Sequence, residues 1–139
     1  MDRRGFIATT CLACLGGGSL PALLSSCAAD DVITGDVADG KIRIPLPLPG
    51  TGPVRIVRAA GFPDTIALVS GAGGEIHALI LRCTHADNPL TPGPGGYTCS
   101  LHGSRFDIEG RVTRGPATRP LRTLMTTVSG ESLSIVIAK

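Results

Sequence analysis

A turn-rich segment between residues 83 and 120 constrains the fold of this 139-residue chain more than any other feature. Glycine and proline recur throughout it, and both residues favour turns. Long segments without secondary structure are uncommon inside compact domains. The segment also holds two short motifs, C-T-H at Cys83 to His85 and C-S-L-H at Cys99 to His102. Because each motif supplies one thiol and one imidazole, we expect the segment to fold around a metal centre.

The rest of the chain predicts an all-β domain. Glycine (19) and proline (11) are abundant and aromatic residues make up only 3% of the chain, which favours short strands over helices. Alternating or β-branched runs, separated by glycine- and proline-rich breaks, begin at Lys41, Val54, Thr65 and Glu75. Residues 121–128 and 132–137 form two further runs, joined by Ser129 to Glu131, and predict a closing hairpin. We expect one domain over residues 41–139.

The first 27 residues are predicted to be an export signal. R-R-G-F-I at residues 3–7 resembles a twin-arginine motif, and that export route carries folded proteins with their cofactors. Threonine, glycine and proline interrupt the apolar run that follows, so it is poorly suited to a permanent membrane helix. The run ends in L-S-S-C, which resembles a lipoprotein box that leaves Cys27 as a lipid-bearing N-terminus. An uncleaved anchor is the alternative. Lipid on Cys27 and an uncleaved anchor would both tether the domain at a membrane. We expect it in the bacterial periplasm or on the outer face of the cytoplasmic membrane.

Residues 28–40 are small, acidic and weakly patterned, and they predict a linker between the signal and the domain. Charged residues cluster in two places, with aspartates at the start of the mature chain and arginines after the second motif. They are Asp30, Asp31, Asp36 and Asp39, then Arg105, Arg111, Arg114, Arg119 and Arg122. We interpret them as parts of a mixed, solvated surface. The formal net charge of +2 gives no reason to expect a nucleic-acid partner.

The two motifs resemble the signature of the Rieske family, C-x-H followed after a spacer by C-x-x-H and G-S. The chain reads C-S-L-H-G-S-R-F-D from Cys99 to Asp107, and the spacer before it is shorter than is usual in the family. G-P-A-T-R-P-L, from Gly115 to Leu121, is similar to the proline-rich loop that covers the family's cluster. The resemblance implies an antiparallel β-sandwich with a small two-loop cluster-binding subdomain.

By this resemblance, one [2Fe-2S] cluster per chain has one iron held by Cys83 and Cys99 and the other by His85 and His102. The family's serine that hydrogen-bonds a bridging sulfide corresponds to Ser104. Imidazoles in place of two thiolates reduce the negative charge at one iron and raise the reduction potential above that of all-cysteine clusters.

Three positions depart from the members of the family that oxidise quinols. Those members join the two cluster loops by a disulfide, and this chain has Asn88 and Leu101 at the two cysteine positions. They also have a tyrosine that donates a hydrogen bond to a ligand sulfur, where this chain has Phe106. Losing a donor lowers the potential, so we expect a middle-to-low value within the Rieske range of about −150 to +300 mV.

Other interpretations of the motifs stay open. Cys83 and Cys99 could form a disulfide, the four side chains could bind zinc, or His85 and His102 could be ordinary polar loop residues. We interpret His77, in the middle of a predicted strand, as structural.

The resemblance implies a one-electron transfer protein that works between a redox donor and an acceptor, such as a cytochrome or an oxidoreductase subunit. No nucleotide, flavin or mononuclear iron motif is recognisable, so we predict no independent catalytic site. The alternative function is the Rieske subunit of a quinol:cytochrome c reductase or of a periplasmic molybdenum oxidase.

Overall fold

The computed structural model describes residues 32–137, so the predicted export signal and Cys27 lie outside the described residues. This part of the chain forms twelve strands and no helix, which confirms the all-β prediction. None of its elements is a helix long and apolar enough to cross a membrane. The strands are β1 (Val32–Ala38), β2 (Lys41–Pro45), β3 (Val54–Ala59), β4 (Ile66–Ser70), β5 (Ile76–Ile80), β6 (Leu90–Gly93), β7 (Gly96–Cys99), β8 (Arg105–Phe106), β9 (Val112–Arg114), β10 (Thr123–Leu124), β11 (Thr126–Ser129) and β12 (Ser132–Val136).

Eight strands form one sheet in the order β10-β5-β4-β3-β1-β2-β12-β11, and β6 to β9 form a second sheet in sequence order. The four runs predicted from Lys41 onward correspond to β2, β3, β4 and β5, and the closing hairpin is β11–β12. Neighbouring strands are antiparallel, as the resemblance implies, except that β1 and β3 are parallel.

Strand β1 corrects the predicted linker boundary, because residues 32–38 of the segment 28–40 belong to the sheet. Its first half pairs with β3 and its second half with β2. The buried positions alternate, with Ile33 and Gly35 facing inward and the side chains on either side exposed. A Cβ at Gly35 would overlap the side chain of Ile42. The glycine therefore lets β1 pack closely on β2, and its missing side chain is also what hid the strand pattern.

The eight-stranded sheet curls round so that its two edges meet. The edge strands β10 and β11 are consecutive in the chain and are separated only by Met125. The carbonyl of Met125 accepts a 2.9 Å hydrogen bond from the Val136 N–H of β12. The Thr126 hydroxyl donates a 2.7 Å hydrogen bond to the carbonyl of Ile76 on β5. The two halves of the sheet thus enclose a first apolar core, formed by Ile33, Ile42, Ile44, Val57, Ala59, Ile66, Leu68, Ala78, Leu133 and Ile135.

Strand β4 is buried on both faces and connects this core to a second one. Its alternate residues Ile66 and Leu68 belong to the first core, whereas Ala67 and Val69 belong to the second. Such a strand is a continuous apolar run, because both faces are covered. The second core lies between β4, β5 and the four-stranded sheet, and it contains Ala67, Val69, Leu79, Leu81, Cys83, Leu90, Tyr97, Cys99, Phe106, Ala117 and Leu121. The two cysteines of the sequence motifs are therefore part of the packed interior.

Candidate metal centre

Two loops with the same backbone hydrogen-bond pattern carry the predicted ligands. In the first ligand loop, residues 83–88, the Cys83 carbonyl accepts from the Asp87 N–H at 2.9 Å and the Cys83 N–H donates to the Asn88 carbonyl at 2.8 Å. In the second ligand loop, residues 99–104, the Cys99 carbonyl accepts from Gly103 at 3.0 Å and the Cys99 N–H donates to Ser104 at 2.9 Å. Each cysteine thus closes its own loop, and the histidine of each motif lies inside the turn.

Each loop turns through a residue with a positive φ angle at the same position, four residues after its cysteine. Asp87 has φ 53° and Gly103 has φ 76°. Glycine adopts this left-handed conformation without steric penalty, and aspartate tolerates it better than most residues. The G-S step after the second motif is therefore needed for the geometry of the loop.

The thiols are buried and the imidazoles are exposed. Cys83 and Cys99 are 2% and 0% exposed, and both are free thiols, so the disulfide alternative is not formed. His85 and His102 are exposed and come from different loops, yet their ring centroids lie 5.2 Å apart with an interplanar angle of 78°. The structure therefore brings all four predicted ligands to one end of the second core.

Backbone and side-chain donors surround the sulfur of Cys99. Burial raises the pKa of the Cys99 thiol, but hydrogen bonds from the backbone of His102 and Leu101, and from the side chains of Cys83 and Asn88, outweigh burial and lower the pKa below its ordinary value. The thiolate is the form that binds metals, so this environment suits a metal ligand.

Ser104 also has an environment that fits a bound inorganic group. It is completely buried, and its hydroxyl oxygen accepts a 3.0 Å hydrogen bond from the Ala117 N–H. Among the described residues its own hydroxyl hydrogen has no acceptor, so it remains available to a group bound between the loops. Two soft thiolates with two imidazoles are the donor set of a mixed-ligand iron–sulfur centre.

The segment from Gly115 to Leu121 is fastened to both ligand loops. Ala117 reaches Ser104 of the second loop, as described above. On the first loop, the Thr84 hydroxyl donates to the Arg119 carbonyl at 2.6 Å, and the Arg119 guanidinium lies 3.5 Å from the Thr84 carbonyl. The predicted proline-rich cover thus contacts the residue that stands between Cys83 and His85.

Sequence reasoning missed Arg82, which fixes the first ligand loop to the large sheet. Its guanidinium donates to the Asp64 carboxylate at 2.7 Å and to the Asp87 carbonyl at 2.7 Å. The Asp64 hydrogen bond is the main cause that raises the pKa of Arg82. Arg82 therefore holds the turn residue Asp87 in place. A charged residue directly before Cys83, at the end of an apolar strand, was the available signal.

An open groove of about 1080 Å³ runs beside the first ligand loop. Its walls include His85, Arg82, Arg119 and Arg122. Asp64 and Asp87 also line it, but both are paired with Arg82. The groove therefore presents the positive charge of Arg119 and Arg122 next to one of the predicted ligands.

The remaining residues singled out from the sequence lie around the centre or away from it. Phe106 is 2% exposed in the second core, whereas Leu101 is 55% exposed on the second ligand loop. His77 is exposed on β5, where it pairs with Val69 of β4 rather than joining the two ligand histidines.

Comparison with known proteins agrees with the geometry. The family model of the Rieske [2Fe-2S] domain matches residues 48–125. The chain is 33% identical over 120 residues to the cytochrome b6-f complex iron-sulfur subunit 2 of Trichormus variabilis, covering 76% of this chain and 64% of that protein. It is 38% identical over 90 residues to the carotenoid phi-ring synthase of Chlorobaculum tepidum, covering 63% of this chain and 13% of that protein. The chain thus spans less than two thirds of either relative.

Among solved structures, the chain matches the plasma membrane Rieske protein PetC3 from Synechocystis PCC 6803. It has 27% sequence identity and a TM-score of 0.46, and the alignment covers 69% of this chain and 85% of that one. Since the model of the Rieske [2Fe-2S] domain matches more than half of the sequence, the chain belongs to the Rieske family and carries one [2Fe-2S] cluster.

Proposed function

We propose that Cys83 and Cys99 bind one iron of the cluster, that His85 and His102 bind the other, and that Ser104 donates to a cluster sulfur. The observation that carries this ligand set is the pair of buried thiols beside two exposed imidazoles with centroids 5.2 Å apart. Two side chains for each of two metals is an arrangement that fits a binuclear cluster.

The function that follows is transfer of single electrons between two redox proteins. A Rieske cluster supplies a one-electron couple. The chain buries the sulfur side of the site and leaves both imidazoles open to solvent, so a partner approaches the electron carrier at His85 and His102. A cytochrome or an oxidoreductase subunit is the proposed kind of partner, in line with the relatives named as cytochrome b6-f iron-sulfur subunits.

A subunit of a quinol:cytochrome c reductase or of a periplasmic molybdenum oxidase is the second candidate. The same exposed imidazoles serve that function. Asn88 and Leu101, at the positions of the disulfide found in quinol-oxidising members, favour the molybdenum case over the quinol case. Purification from native membranes, with identification of the proteins that accompany the chain, separates a free relay from a subunit.

Electron paramagnetic resonance of the dithionite-reduced protein tests the ligand set. We expect a signal with the low average g-value of a Rieske cluster and two irons and two sulfides per chain. His85→Ala and His102→Ala should each abolish that signal. His77→Ala is the matched control, because His77 is exposed but lies on β5, and it should keep the full signal. A colourless protein that contains zinc, or a signal unaffected by loss of His85, contradicts the proposal.

We also propose that the protein is exported and tethered at the membrane through lipid on Cys27. The twin-arginine motif and the L-S-S-C sequence support this location. Radioactive palmitate should label the protein in cells, and Cys27→Ser should not be labelled. An unlabelled protein, or an intact mass that retains residues 1–26, favours the uncleaved anchor instead, and labelling that persists in Cys27→Ser contradicts lipid on Cys27.

A further inference from the structure

We propose that the side-chain amide of Asn88 links the two ligand loops by donating a hydrogen bond to the sulfur of Cys99, and thereby raises the reduction potential and slows loss of the cluster. The proposal rests on the ligand set given above. Asn88 ends the first ligand loop and Cys99 begins the second, so this contact crosses from one loop to the other. A non-covalent contact thus starts from one of the two positions that a disulfide would use to join the loops.

The orientation of the amide follows from its two neighbours. The Asn88 Nδ2 atom lies 3.0 Å from the Pro89 carbonyl oxygen and 3.9 Å from the Cys99 sulfur. A flipped amide would place its own oxygen against these two electron-rich atoms, whereas the NH₂ group has one hydrogen for each of them. The hydrogen-bond network therefore places the donor toward the sulfur.

The main chain holds Asn88 at this position. Its carbonyl accepts the 2.8 Å hydrogen bond from the Cys83 N–H, so the residue is bound to one cysteine through its backbone and to the other through its side chain. Asn88 is partly buried, which reduces competition from water for the amide. The residue is placed to hold the spacing between Cys83 and Cys99.

A donor at a ligand sulfur stabilises the reduced state, because reduction adds negative charge to the cluster. The distance of 3.9 Å marks a long hydrogen bond, so its effect is moderate. We expect loss of the donor to change the ratio of reduced to oxidised protein by roughly threefold to tenfold, which for a one-electron couple corresponds to about 30 to 60 mV toward lower potential.

Two variants of Asn88 test the proposal in the full-length, cluster-loaded protein. Asn88→Leu keeps a similar shape without a donor, and Asn88→Gln keeps the amide on a longer side chain. We expect Asn88→Leu to have the lower potential in protein-film voltammetry and to lose its visible absorbance faster, with Asn88→Gln between it and the unchanged protein. Thr98→Val is the matched control, because it removes an exposed polar group next to Cys99 on β7. A potential and bleaching rate for Asn88→Leu equal to those of the control overturn the proposal.

A measurement on the unchanged protein covers the case in which Asn88→Leu fails to fold. Asn88 is the sole asparagine of the chain, and the sequence has no glutamine. Asparagine labelled with ¹⁵N in the side chain therefore marks one amide. Pulsed paramagnetic resonance of the reduced protein should show a ¹⁵N coupling from it, and absence of that coupling also overturns the proposal. Absence of the Rieske signal itself in the unchanged protein refutes the ligand set instead, so the two failures are distinguishable.

Discussion

Ser104 connects the interior of the site to its cover. Its hydroxyl is fully buried and accepts from the Ala117 N–H, which belongs to a residue only 4% exposed. Ser104→Ala leaves that N–H without its partner. An unsatisfied buried donor costs about 1 to 3 kcal/mol. We expect the free energy of unfolding in urea, followed by circular dichroism, to fall by that amount. The reduction potential should also fall, because the proposed donor to the cluster is lost.

Ser100→Ala is the control for this prediction, because Ser100 is an exposed serine of the same loop. It should change neither stability nor potential. Equal stability of Ser104→Ala and Ser100→Ala would contradict the role assigned to the Ser104 hydroxyl.

Tyr97 gives a prediction about stability at alkaline pH. Burial, then the nearby carboxylates of Glu109 and Asp107, raise the pKa of Tyr97 to about 12 from 10.0. The folded state thus retains a proton that the unfolded state loses above pH 10, so stability is constant below pH 10 and falls as the pH rises toward 12. A shift of this size amounts to up to about 3 kcal/mol.

The chain has one tyrosine and no tryptophan, so the ultraviolet absorbance of tyrosinate reports Tyr97 alone. Tyr97→Phe keeps the ring and removes the hydroxyl that donates to the Ile108 carbonyl at 3.1 Å. Between pH 10 and pH 12, the free energy of unfolding of the unchanged protein should fall relative to that of Tyr97→Phe. A tyrosine that titrates near pH 10 would contradict this account.

At the scale of single residues, sequence predicted what local motifs encode. Cys83, His85, Cys99 and His102 were found because each pair lies within four positions of the chain. The sequence marks Arg82 as a charged residue directly before Cys83, but its ion pair joins it to Asp64, 18 positions away, and no local pattern marks that partner. The sequence marks Asn88 only as the residue at a cysteine position of the family, since its contact with Cys99 depends on how the two loops meet.

Among the elements, β7 depends on the glycine at its start for pairing with β8. Gly96, at its start, has φ 138°, and a Cβ there would overlap the backbone carbonyl of Phe106 on β8. Gly96→Ala should therefore prevent β7–β8 pairing and loss of the cluster should follow, measured by iron content. Gly95→Ala is a matched control one residue away, because a Cβ there meets nothing within 4 Å. Full iron content in Gly96→Ala would show that the strand pairing adapts.

Strand β1 gives a second prediction at this scale. A chain that starts at Val32 retains every described strand, whereas one that starts at Lys41 lacks β1 and exposes the edges of β2 and β3. We expect the first to unfold cooperatively on heating and the second to be unfolded or aggregated. If both unfold at the same temperature, β1 is dispensable and the predicted boundary at Lys41 describes the folding unit.

Elements with clear apolar alternation or a continuous apolar run, such as β2 and β4, were predictable, and the shortest elements were not. In β2, buried Ile42 and Ile44 alternate with exposed residues, and in β12 buried Leu133 and Ile135 alternate with partly buried ones. By contrast, β8 and β10 contain two residues each, too few for any periodicity. Strand β8 is defined by Phe106 in the second core, and β10 by Leu124 against the first core and by pairing with the distant β5. Neither kind of contact is visible in a local window of sequence.

For the whole molecule, the charge of the groove predicts how the protein exchanges electrons. Arg119 and Arg122 form no ion pair with any residue from 32 to 137 and stand beside His85. Small anionic redox reagents should therefore react faster than cationic ones of similar potential. The difference should shrink as salt rises, because charges are screened over about 8 Å at physiological ionic strength.

Replacing Arg119 and Arg122 with serine should remove most of this preference in stopped-flow measurements. The control is Lys41→Ser with Arg43→Ser, which removes the same charge from β2 in the other half of the large sheet. Equal effects of the two double variants would show that net charge, rather than the groove, governs the rate.

On the proposal that Cys27 carries lipid, the position of β1 also limits how far the electron carrier stands from the bilayer. Strands β1, β3 and β5 run in the same direction, and β5 leads into the first ligand loop, so β1 begins at the end of the sheet remote from the histidines. With lipid on Cys27, only residues 28–31 separate the membrane from this strand, a reach of at most about 14 Å compared with about 45 Å for the predicted linker of residues 28–40. On that proposal, a short tether holds the protein at the membrane with His85 and His102 facing the aqueous space, and the redox partner has to bind there.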